Sequence, residues 1–84
     1  APAAAARLVR QLRVDHEALT ARELDVLTEV ARGTSNAAVA ASLSIGEATV
    51  KSHLAHVYAK LGVEGRTAAV TRAMELGILP PPGP

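Results

Sequence analysis

A chain of 84 residues with no cysteine and a net charge of +1 holds at most one domain, and neither disulfides nor thiolate metal sites can staple it. Hydrophobic residues make up 49% of it, yet the only aromatic is Tyr58, so a core has to be built from Leu, Val, Ile and Ala. No apolar run approaches the roughly 20 residues that span a bilayer, the N-terminus does not read as a signal peptide, and the near-neutral charge does not by itself announce a nucleic-acid partner.

Ala3 to Arg13 has high helix propensity, with Pro2 fitting a start and Leu8, Val9 and Leu12 a short apolar stripe. Arg7, Arg10 and Arg13 read as its solvated face. The stripe is too thin to hold the helix alone, and residues 14–18 read as a linker. Residues 1–18 are therefore assigned to an N-terminal linker helix.

A firm helix start follows. Thr20 precedes Glu23 at capping-box spacing, and Leu19 and Leu24 fit a hydrophobic staple. Leu24, Leu27, Val30 and Ala31 then repeat at three and four residues, and Gly33 supplies the terminal cap. Ser35 or Asn36 caps a shorter helix with Val39, Ala40 and Leu43 facing inward. Ser44-Ile45-Gly46 breaks it, with Ile45 expected to plug the angle to the next helix. That helix spans about residues 47–61 and ends at Gly62. A last helix runs from about Arg66 to Leu76, capped by Gly77, with Ile78 and Leu79 folding back. Residues 80–84, PPPGP, cannot continue a helix and form a tail. No stretch alternates with period two, so the fold class is all-α, and residues 19–79 form a four-helix domain containing a helix-turn-helix.

On a helical wheel of about 100° per residue, Val50, Leu54, Val57 and Leu61 share one narrow sector of the 47–61 helix. Ala48, Ser52, Ala55 and Ala59 lie opposite, with Lys51 and Tyr58 on one flank and Thr49, His53, His56 and Lys60 on the other. A DNA major groove about 12 Å wide admits one helix. Small side chains permit close approach, and Lys, Ser and Thr supply donors. An alanine-rich outer face also suits an ordinary solvated helix, so this helix alone leaves both readings open.

The wider pattern discriminates. Leu19, Thr20, Arg22, Glu23, Val26, Leu27, Gly33, Ser35, Asn36, Ala40 and Leu43 stand in order before Glu47, Thr49, Val50, Lys51, His53 and Leu54. Lys60, Leu61, Gly62, Val63, Arg66, Thr67, Ala68 and Val70 complete the set. In this pattern the chain resembles the DNA-binding domain of the LuxR/NarL family of bacterial transcription regulators, over about residues 19–79.

The resemblance implies a recognition helix at about 47–61 in the major groove of double-stranded DNA. It implies groove or base contacts from Lys51, Ser52 and Ala55, and phosphate contacts from Asn36 or Ser35, Thr49, Lys60 and Arg66; Ala48 on the same outer face is added as a groove residue and His56 on the flank as a phosphate contact. It further implies a homodimer through Val70, Ala73 and Met74 on inverted or direct repeat half-sites, with RNA polymerase as a further partner. The setting would be the bacterial cytoplasm, and the domain would be the effector of a two-component response regulator, downstream of a phosphorylated receiver.

Three departures from the family pattern matter. Ala37-Ala38 replaces a usual Lys-Glu pair, Gly46 a usual capping Ser, and Ala55 an often polar base reader. They motivate an alternative: a protein-interaction or dimerisation module with weak or lost DNA binding. No catalytic constellation or phosphate loop is present, so no enzyme is expected. No cofactor is expected either, and His53 with His56 does not complete a zinc site.

Overall fold

A computed structural model describes residues 18–82. The expected helix over Ala3–Arg13, its arginines and the last two residues of the tail lie outside the described residues. Within them the chain forms α1 (Ala21–Ala31), α2 (Asn36–Leu43), α3 (Glu47–Leu61) and α4 (Arg66–Glu75), with no strand among the described residues.

Each boundary has a local cause. The Thr20 side chain accepts from the Glu23 backbone N–H at 3.1 Å, and the Glu23 carboxylate accepts from the Thr20 N–H at 2.9 Å, closing the capping box. Ser35 rather than Asn36 caps α2, its hydroxyl accepting from the Ala38 N–H at 3.2 Å. Between α2 and α3, Ser44 turns the chain at φ 56°, a left-handed conformation that costs a non-glycine residue energy. Gly77, at φ 75°, reverses the chain after α4. The Ile78 and Leu79 N–H groups then both donate to the Ala73 carbonyl, and Leu79 is buried.

α3 packs against all three other helices and α1 also packs on α2 and α4, whereas α2 and α4 do not pack directly on each other. Two apolar groups result. Val26, Val30, Val39, Ala40, Val50 and Leu54 lock the helix-turn-helix, with Leu43 and Ile45 against them. Leu27, Val57, Ala69, Ala73 and Leu79 hold α4. Tyr58 and Val70 pack against both groups. Each fully buried Val or Leu contributes about 1.5–3 kcal/mol, so α3, with buried Val50, Leu54 and Val57, is the central fixed element. Ile45 occupies the helix-turn-helix angle, as its isolated position in the turn suggested.

The α1 stripe differs from the expected one. Leu24 is 36% exposed and Ala31 is exposed, while Val26 is fully buried. The inward face consists of Glu23, Val26, Leu27 and Val30, which also repeat at three and four residues. Counting only apolar residues rotated the face, because one inward position carries a carboxylate. Leu19 packs beside the Leu27 group while Leu24 stays outside, so no buried staple pair forms.

Candidate nucleic-acid interface

The outer face of α3 exposes Glu47, Ala48, Thr49, Lys51, Ser52, Ala55, His56 and Ala59. The expected groove residues Ala48, Lys51, Ser52 and Ala55 are thus on open surface together. Their backbone is held rigid from behind by Val50, Leu54 and Val57. Thr49 and His56 are also exposed, and His53 is half-buried. Lys51 is the only exposed lysine on this face.

Lys60, expected at phosphate, is engaged within the chain. Its ammonium donates to Glu23 Oε1 at 2.7 Å and to the Ala18 carbonyl at 3.3 Å, with the side chain only 15% exposed. The positive charge is consumed at the junction of α1 and α3. Glu23 is itself 4% exposed. Burial pushes its carboxyl up, but hydrogen bonds from Lys60 and the Thr20 N–H, with the lysine's charge, outweigh this and hold it below its ordinary value of 4.5. His56 Nδ1 lies 3.8 Å from the other carboxylate oxygen, on the solvent side.

The N-terminal ends of α2 and α4 meet through side chains. One amino group of Arg66 donates to Asn36 Oδ1 at 2.8 Å and to the Thr34 carbonyl at 3.2 Å. Ser35, Asn36 and Arg66, all expected at phosphate, therefore lie at one corner, with Ser35 engaged as a cap. A further tie escaped the sequence reading: Arg22 donates to the Leu43 carbonyl at 3.0 Å, closing the C-terminal end of α2 against α1.

Of the expected dimer residues, Ala73 is corrected by the structure. It is fully buried in the Leu27–Val57 group and has no surface to offer a second chain. Val70 and Met74 are half-buried and keep partial exposure. Among the described residues no His, Asp and Glu cluster could hold a metal ion, and no helix is long and apolar enough to cross a membrane.

Comparison with known proteins gives concordant matches. Residues 17–73 match the family model of bacterial regulatory proteins, luxR family. The chain is 49% identical over 61 residues to the transcriptional regulatory protein YdfI of Bacillus subtilis, covering 73% of the chain and 29% of that protein. It is 48% identical over 61 residues to the probable transcriptional regulatory protein NarL of Mycobacterium tuberculosis, covering 73% and 28%. The crystal structure of the response regulator ChrA, from a heme-sensing two-component system, superposes with a TM-score of 0.73 at 51% identity, covering 75% of this chain and 31% of ChrA. The chain thus spans less than a third of the length of these proteins.

Proposed function

This chain belongs to the luxR family of bacterial regulatory proteins, and from that premise we propose that it binds double-stranded DNA with α3 in the major groove. The observation that carries the reading is the outer face of α3. Ala48, Ser52 and Ala55 allow the helix close to the base edges while Lys51 supplies a long donor, and the helix is anchored against all three others. Asn36, Thr49 and His56 serve as phosphate contacts, with Ser35 and Arg66 at the corner that Asn36 occupies. With so few base-reading side chains, thymine-methyl contact and DNA shape carry a large share of specificity.

The matches to NarL and to the response regulator ChrA, each far longer than this chain, support a finer proposal. The chain is the effector domain of a cytoplasmic two-component response regulator whose receiver precedes it. It acts as a homodimer through Val70 and Met74 on α4, on inverted or direct repeat half-sites, with RNA polymerase as a further partner. A full-length sequence with no upstream receiver would sink the response-regulator part alone.

Lys51→Ala tests the DNA reading. A loss of about 1–3 kcal/mol confined to one selected sequence assigns Lys51 to a base. A uniform loss across sequences, with the salt slope reduced by about 1, assigns it to phosphate. A chain with no affinity for duplex DNA at low salt would instead be an interaction module, the reading that Ala37-Ala38 and Ala55 motivate.

A further inference from the structure

We propose that Arg66 is a positioning residue that locks the Asn36 side-chain amide so that its NH2 group, and not its oxygen, is presented to a DNA phosphate. The inference rests on the DNA-binding reading above and assigns different roles to two residues that the family resemblance treats alike.

The argument is one of donor and acceptor chemistry. A guanidinium offers only donors, and a primary amide has one acceptor oxygen and one donor NH2 group. Arg66 can therefore engage Asn36 only through Oδ1, which it does at 2.8 Å. The same amino group is tied to the Thr34 carbonyl at 3.2 Å, so it is held from two sides. The reversed amide would set N–H against N–H beside a cation. With Oδ1 taken, both Nδ2 hydrogens point elsewhere, and no acceptor among the described residues receives them. An unlocked amide would present its oxygen part of the time, and an oxygen repels phosphate.

The surroundings leave this amide with an unusual share of the task. Ser35 Oγ is already accepting from the Ala38 N–H. No residue of α2, NAAVAASL, is charged, so no lysine stands at its start to meet a phosphate. Because α2 and α4 do not pack directly on each other, the Arg66 bonds are also what ties the first turn of α2 to the first turn of α4.

A double-mutant cycle on the whole chain reads the claim, using a short random-sequence duplex as the probe and fluorescence anisotropy as the readout. Asn36→Ala is expected to weaken binding roughly tenfold, the size of one hydrogen bond to a charged group. Arg66→Ala is expected to cost a similar factor alone, but less than about twofold when Asn36 is already Ala. Equal losses in both backgrounds would mean that Arg66 pairs with phosphate directly and would overturn the inference. So would unchanged affinity for Asn36→Ala. Asn36→Asp supplies a check that does not depend on how well Arg66→Ala folds. It keeps and strengthens the bond to Arg66 but has no N–H to donate, so affinity should fall at least tenfold while the thermal midpoint holds or rises. Wild-type affinity for Asn36→Asp would overturn the inference. Failure of the unsubstituted chain to bind duplex would overturn the DNA-binding reading itself and this inference with it.

Discussion

Replacing Glu23 by Gln isolates one charge at the junction of α1 and α3. Gln keeps the size of the side chain and an oxygen able to accept from the Thr20 N–H, so the capping box survives. It removes the negative partner of Lys60, whose ammonium sits 2.7 Å away with its side chain 15% exposed. A hydrogen bond to a charged group contributes about 1.5–3 kcal/mol against about 0.5–1.5 for a neutral one, so the loss near neutral pH should be about 1–2 kcal/mol. It should stay below the about 3–5 kcal/mol of a fully buried broken pair, because Lys60 can still reach water. In a domain of this size that lowers the thermal midpoint by about 4–16 °C. The sign with pH follows from the direction of the shift. The folded carboxyl titrates below 4.5, its ordinary value, so its contribution is complete above 4.5 and is lost as pH falls through 4.5 and then through the lower folded value. Below that range the wild-type side chain is itself neutral, and the two proteins should converge. Urea unfolding followed by far-ultraviolet circular dichroism at several pH values gives the comparison. A gap of the same size at neutral and strongly acid pH, or no gap at neutral pH, would refute the assignment of a stabilising charge pair.

Leu54→Ala should cost about 2–5 kcal/mol by opening a cavity in the helix-turn-helix core, whereas Leu24→Ala, at a 36% exposed position, should change stability by no more than about 0.5 kcal/mol. Urea midpoints of the two variants check that Leu54 of α3 faces the core and that Leu24 of α1 faces solvent; a neutral Leu54→Ala or a costly Leu24→Ala would contradict those faces. Ser44→Gly should stabilise the chain by up to about 1 kcal/mol, because Ser44 holds φ 56° and glycine takes that conformation without a steric penalty. A destabilised variant would mean that the serine side chain supports the turn.

The helices were legible from local signals. Thr20 with Glu23, Gly33, the Ser44-Ile45-Gly46 break, Gly62 and Gly77 each act within a few residues of themselves, so sequence spacing places them. The inward face of α1 was less legible, since Glu23 sits inside only because Lys60, 37 residues further on, neutralises it. The engagement of Lys60 was illegible for the same reason: a lysine flanking a recognition helix looks free until its distant partner is placed. The dimer role of Ala73 rests on the family resemblance alone, because a small apolar residue on a short helix gives no local sign of which side the rest of the domain covers. The bonds from Arg22 to Leu43 and from Arg66 to Asn36 join residues 21 and 30 positions apart and leave no periodic trace.

The most direct test is the affinity of the unsubstituted chain for duplex DNA as salt is raised. Each neutralised phosphate contributes about −0.9 to the slope of log affinity against log salt. With Lys51 the exposed lysine on the α3 face and Arg66 turned to Asn36, a slope of roughly −1 per bound chain is expected. Measurable binding at low salt with that decline is the expected result; no binding at low salt, or binding indifferent to salt, would contradict a DNA-binding role for this helix.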